Sequence, residues 1–172
     1  MAICCTSLYL IVCFSKEAIK LGDPFHNREE EIAEELKKAF GEKIIDTKIQ
    51  RKGRIFISVP TESYKDLIKY LVEKMQIIHV STITGIDSGE KIEVMPHLFG
   101  RGSEITVKVA IPKEKPEIDT ITDILPGASL YEREVHDLLG VVFVGHPNLE
   151  RLILPEDWPE GVYPLRKDYK RR

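Results

Sequence analysis

Three strand-length apolar runs, Ile77 to Ile86, Ile92 to Phe99 and Ile105 to Ile111, follow one another across short turns at Ser88-Gly89 and Gly100-Arg101-Gly102. Turns that short favour an antiparallel meander, because a parallel return needs a crossover of a dozen residues or more. Upstream, Ile44 to Gln50 and Arg54 to Val59 read as two further strands across a turn at Arg51, Lys52 and Gly53, with Ile55, Ile57 and Val59 alternating. Pro60 and Thr61 end that strand and start a helix, in which Tyr64, Leu67, Ile68, Leu71, Val72 and Met75 fall on one stripe. An earlier amphipathic helix carries Ile32, Ala33, Leu36 and Phe40, opens on an Asn27/Glu30 capping pair and closes at Gly41. Helices of this kind cover one side of an antiparallel sheet. The expected fold is therefore α+β, a mostly antiparallel sheet with helices packed on one face, followed by an extended C-terminal tail.

Three segments are expected: an apolar leader and linker over 1–26, the α+β domain over 27–126, and a charged helix plus tail over 127–172. Met1 to Phe14 is apolar but shorter than the roughly 20 residues a spanning helix needs, and no Lys or Arg precedes Lys16, as a secretory signal would require. It reads as a strand, a partner-facing segment, or sequence upstream of a misassigned start. Pro112 to Pro126 reads as a connector, and Tyr131 to Leu139 as a short helix ended by Gly140. Pro147, Pro155, Pro159 and Pro164 punctuate what remains.

Composition narrows the chemistry. The 172 residues include only 3 cysteines, Cys4, Cys5 and Cys13, all in the leader, whereas a cubane cluster or structural zinc takes about four spaced ligands. The body therefore offers no cysteine-ligated cofactor, and the unpatterned thiols suit a reducing compartment. A net charge of -3 supplies no basic field for nucleic acid. Glu29, Glu30, Glu31, Glu34, Glu35 and Glu42 make an acidic early segment whose helix is expected to face water, while Arg166, Lys167, Lys170, Arg171 and Arg172 end the chain and are expected to meet a partner. Asn27, Asn148, Gln50 and Gln76 are the only amides, a balance that suits a heat-adapted source.

None of His26, His79, His97, His136 and His146 belongs to a His-Glu-x-x-His helix, and Glu132 with His136 gives only two ligands on one face. Nucleophile-elbow, Walker and dinucleotide motifs are absent. An acid–base site on Glu132, His136 and Asp137 is the reading as a free-standing enzyme. The last quarter is the dense stretch: Glu132, Arg133, Glu134 and Asp137 on the short helix, then His146, Arg151 and Trp158, and a close on Pro164-Leu165-Arg166-Lys167-Asp168-Tyr169. Aromatic and Arg side chains are hot-spot groups, so a partner-docking tail competes with a tail that packs back on its own sheet.

The run Tyr131-Glu132-Arg133-Glu134-Val135-His136-Asp137-Leu138-Leu139-Gly140, the following Phe143-Val144-Gly145-His146-Pro147, the closing Pro164 to Tyr169 and the upstream Thr122 to Ala128 resemble the C-subunit family of NADH-quinone oxidoreductase (respiratory complex I) and its relatives in archaeal membrane-bound NiFe hydrogenases. His136 and Leu139 replace frequent aromatics, Glu150 a frequent basic residue, and Val162-Tyr163 stands where His often precedes the closing motif. The resemblance implies a chain without a redox centre, in the peripheral arm of the complex on the cytoplasmic side of the membrane, attached through partner subunits. Those partners are a NiFe-hydrogenase-like large subunit, a cluster-bearing small subunit and other peripheral and membrane subunits. Iron–sulfur clusters, and in the hydrogenase branch the NiFe centre, belong to them. It further implies that Glu132, Arg133, Glu134 and Asp137 form ion pairs fixing helix and tail, and that His146, Arg151, Trp158, Arg166, Lys167, Asp168 and Tyr169 dock the tail. The amide-poor composition and the departures from the motif point to the hydrogenase branch or a sulfane-sulfur reductase, with a quinone oxidoreductase as the competing reading.

Overall fold

In the computed structural model, residues 28–170 are described. The leader with its three cysteines, His26, the Asn27 cap and the terminal Arg171 and Arg172 lie outside them. Helix α1 (Arg28–Phe40) buries Ile32, Ala33 and Leu36. Strands β1 (Asp46–Arg51) and β2 (Arg54–Ser58) form the first hairpin. Pro60, extended and without an amide hydrogen, then precedes helix α2 (Thr61–Glu73), whose Tyr64, Leu67, Ile68 and Leu71 are fully buried.

The meander follows as expected: β3 (His79–Asp87), β4 (Lys91–Gly100) and β5 (Ser103–Pro112) pair antiparallel in turn. β2 joins it by a parallel ladder to β5, Ile55 opposite Ile105 and Ile57 opposite Val107, giving the strand order β1-β2-β5-β4-β3. The register puts Ile55, Ile57, Val94, Leu98, Ile105, Val107 and Val109 on one face, and this face shares a single core with Leu36, Leu67, Leu71, Val135 and Leu139 of the helices. The opposite face carries Arg54, Glu93, His97, Glu104 and Lys108, tied as Arg54–Glu104 and Lys108–Glu93 pairs. Helix α3 (Ser129–Leu139) crosses β3 where a side chain is missing: a Cβ on Gly85 would lie 2.3 Å from Leu139 Cδ1. The small residue lets the helix sit on the strand.

Two expectations are corrected. Pro112 to Pro126 is more than a connector, for it holds β6 (Glu117–Asp119), which pairs parallel with β7 (Val142–Val144) as a second, two-stranded sheet. The core is continuous across 126/127, with Ile118, Ile121 and Leu125 packed among Ala128, Val135 and Phe143. Glu29, expected to be solvated, is only 7% exposed and accepts from Gly53 N–H at 2.7 Å and from the Ser103 hydroxyl at 3.3 Å. Burial works to raise its pKa, and hydrogen bonds from its own backbone amide, Gly53 and Ser103, with the Lys52 charge, outweigh it and hold the carboxyl below its ordinary range. Beyond β7, residues 145–170 contain no helix or strand.

Candidate interface on the C-terminal segment

A segment without regular structure must satisfy its backbone elsewhere, and here it does so on α3. Asp137 Oδ2 accepts the amide hydrogens of Leu152, Ile153 and Leu154 at 3.2, 2.8 and 2.8 Å. Burial alone would raise the Asp137 pKa; the three amides and the nearby Arg151 charge outweigh it and keep the carboxyl ionised below its ordinary range. Arg133, one turn earlier, donates from Nε to Glu150 O at 3.0 Å and from Nη2 to Arg151 O at 2.7 Å. One helical face thus holds five consecutive residues by their main chain.

The segment then returns to the far end of the helix. Gly140 closes α3 in the left-handed region at φ 72°, and the Tyr163 ring fills the space a side chain there would need, 2.3 Å from an added Cβ. The last helical carbonyls, which have no partner inside a helix, are taken by the tail: Leu165 N–H donates to Leu138 O at 3.2 Å and Arg166 Nε to Leu139 O at 2.7 Å. The Arg166 guanidinium also sits 4.4 Å from the centre of the Tyr163 ring. Lys167 N–H donates to Asp87 Oδ2 at 2.9 Å, and Lys113 Nζ reaches the same oxygen at 2.8 Å and Asp168 at 3.4 Å. With these donors around it, the Lys113 ammonium foremost, the Asp87 pKa is lowered to about 2 although burial opposes the shift.

The expected ion pairs of α3 are therefore corrected. Among the described residues no side-chain ion pair involves Glu132, Arg133, Glu134 or Asp137; Glu132, Arg133 and Asp137 are engaged by backbone groups instead. Glu132 faces the other way and is fully buried, accepting from the Thr120 hydroxyl at 2.6 Å and Ile121 N–H at 2.9 Å. Burial is the dominant influence and raises its pKa to about 7 against those bonds. His136 Nδ1 meets Val141 O at 2.8 Å, so Glu132, His136 and Asp137 serve three separate backbone targets and do not converge on one reacting centre.

His146 and Ser129 are adjacent, Nε2 to Oγ 3.2 Å, but Asn148 N–H donates to His146 Nδ1 at 3.1 Å and so places the ring proton on Nε2. The ring presents a donor to Ser129, the reverse of what a base activating a hydroxyl needs. Arg151 braces the tail by donating to Trp158 O at 2.8 Å, and Trp158 Nε1 donates to Val162 O at 2.8 Å. The Trp158 and Tyr169 rings stand 6.3 Å apart and, with Tyr163, Arg166 and Lys170, line a groove of 640 Å³. Of the sequence-predicted residues, Lys167 and Asp168 remain exposed and Trp158 and Tyr169 half-buried. Asp87 and Lys113 are not singled out by sequence reasoning, which marks Gly140 only as the end of the helix and Tyr163 only as a departure from the closing motif; the one available signal for Asp87 is its place before Ser88-Gly89, which marks only the turn it also caps through Gly89 N–H at 2.7 Å.

Among the described residues no cluster of three or more His, Cys, Asp or Glu could hold a metal, and no helix is long and apolar enough to cross a membrane. The fold defines an α+β body with a segment fastened across one of its helices. The family model of the respiratory-chain NADH dehydrogenase 30 kDa subunit matches residues 57–172, and the chain belongs to that family. It is 31% identical over 151 residues to the membrane-bound hydrogenase subunit beta of Pyrococcus furiosus, with 84% of this chain and 87% of the relative covered. It is 32% identical over 143 residues to the C subunit of the F(420)H(2) dehydrogenase of Methanosarcina mazei, covering 81% and 90%. A chain of the membrane-bound sulfane sulfur reductase, an archaeal respiratory membrane complex, superimposes with a TM-score of 0.73 at 31% identity, covering 82% of this chain and 85% of that one.

Proposed function

We propose that this chain is a cofactor-free structural and assembly subunit in the peripheral arm of a membrane-bound, ferredoxin-linked NiFe hydrogenase-type respiratory complex. It sits on the cytoplasmic side of the membrane and docks the catalytic large subunit and the cluster-bearing small subunit. The observation that carries the reading is the fastening of residues 150–167 by Arg133, Asp137, Asp87 and the end of α3. A segment already ordered in the free protein loses little further conformational entropy when it binds, and Leu152, Ile153 and Leu165 are left 41%, 53% and 56% exposed on it. In this arrangement Arg133, Asp137 and Arg166 set the shape of the tail, while Trp158, Lys167, Asp168 and Tyr169 present it. The likeness to a hydrogenase subunit along most of both chains supports the branch.

Co-purification from native membranes tests this. Truncation after Gly161, or Arg133→Ala, is expected to reduce recovery of the large subunit with the tagged chain by about tenfold or more, the scale of losing a hot-spot contact. Recovery and activity at wild-type levels in the truncated protein would show the docking reading to be wrong. A second reading, the equivalent subunit of a sulfane-sulfur reductase, is favoured by the structural match to that complex. Hydrogen evolution by the purified assembly supports the first reading, and sulfur reduction without it the second.

A further inference from the structure

The groove beside Trp158 is not accounted for by the fastening of the tail. Its lining is partly aromatic, with the Trp158 and Tyr169 rings paired at 6.3 Å and Tyr163, which also packs on Gly140, beside them, and its volume of 640 Å³ lies inside the range of ligand clefts, about 300 to 1,000 Å³. Its shape is set in advance. Trp158 is held by its indole N–H on Val162 O and by Arg151 on its carbonyl, and the stretch leading to Tyr169 is held at Lys167 by Asp87.

The charge at its rim is unbalanced. Asp168 is engaged by Lys113 at 3.4 Å, and Arg166 uses only Nε, on Leu139 O. Among the described residues no carboxylate pairs with the terminal nitrogens of Arg166, whose guanidinium lies on the Tyr163 ring, or with Lys170, and both border the groove. Aromatic surface with cations at the edge suits an extended main chain that lays a side chain over the paired rings and a carboxylate on the rim, and a planar guanidinium is well formed for a carboxylate.

We propose that the groove lined by Trp158, Tyr163 and Tyr169 receives an extended segment of a partner subunit, with an Asp or Glu side chain of that segment on Arg166 and Lys170. The assignment rests on the docking role proposed above and adds to it the place of contact and the chemistry of what is received.

The test uses the assembled complex, with a photoreactive phenylalanine analogue in place of Pro159, an exposed residue on the groove wall. Irradiation and peptide sequencing are expected to give one partner-subunit segment containing Asp or Glu. Trp158→Ala is expected to abolish that adduct and Trp158→Phe to keep it. Lys170→Glu, at an exposed position, is expected to weaken partner retention about tenfold, and Lys170→Arg to leave it unchanged. An adduct confined to this chain, to a lipid or small molecule, or to a partner segment lacking carboxylates would overturn the assignment. So would wild-type retention in Lys170→Glu. If the complex still assembles in those cases the docking role stands and only the groove fails, whereas the Gly161 truncation decides the docking role itself.

Discussion

The body of the molecule, residues 28–112, is held by what it hides. Ile55, Ile57, Leu67, Leu71, Val107 and Val109 are all fully buried between the sheet and the helices. Residues 145–170 hide little of the kind, leave Leu152, Ile153 and Leu165 outward, and are held by their main chain on Asp137, Arg133, Asp87 and the end of α3. Apolar burial is non-directional, so the core tolerates volume-conserving repacking while the ladders keep the course of the body's strands. Hydrogen bonds from a few anchored charges are directional and fix a segment's course while its side chains stay available. The two regions should thus fail differently, the body all at once and the tail locally.

The largest effect is expected in the body. Leu71→Ala removes a fully buried side chain of α2 and should cost about 2 to 5 kcal/mol of global stability, read as a lower midpoint in denaturant with the whole spectrum moving together. Asp137→Ala should cost about 2 to 3 kcal/mol locally, because three amides lose a charged acceptor. Amide hydrogen exchange should then rise at residues 150–167 while β4 and β5 keep their protection; uniform loss across the sheet would mean that body and tail are one cooperative unit.

The smallest effect is a pH response at Asp87. Its folded pKa of about 2 lies below the ordinary value of 3.8, so its contribution is fully present above pH 3.8 and is lost as pH falls towards 2. The shift corresponds to about 2 kcal/mol, and the Lys167 amide should become exchange-labile over that window. Asp87→Asn should abolish the transition. Glu132 should act in the opposite sense, since a folded pKa of about 7 against the ordinary 4.5 makes its contribution complete below pH 4.5 and lost as pH rises through 7.

The parts of this architecture that repeat over short distances are legible in the sequence. The α2 stripe and the meander of β3, β4 and β5 declare themselves by period and by turn length. The parallel β2–β5 ladder does not, because its partners are separated by α2 and two strands, and no local pattern records a non-local pairing. β6 and β7 are three residues each, too short for alternation to rise above noise. In the C-terminal segment the residue types that matter are visible, but their partners are not. Glu132, Arg133 and Asp137 look like one another's counter-ions along a helix, while the structure sends each to backbone atoms that a sequence cannot distinguish. Asp87, 80 residues from Lys167, carries no mark of its role beyond standing before a turn.

The parallel ladder between β2 and β5 also has a bearing on how the chain comes into being. The hairpin of β1 and β2 emerges with the outer edge of β2 open, and the strand that covers that edge ends at Pro112. During synthesis the first helix and hairpin emerge well before that strand exists, so the early chain waits with an unpaired edge and an uncovered α2 stripe. Closing so long a loop is slow compared with forming either hairpin. Folding of the sheet is thereby gated by completion of the meander, and the interval before it is when the nascent chain is most exposed to pairing with the wrong edge.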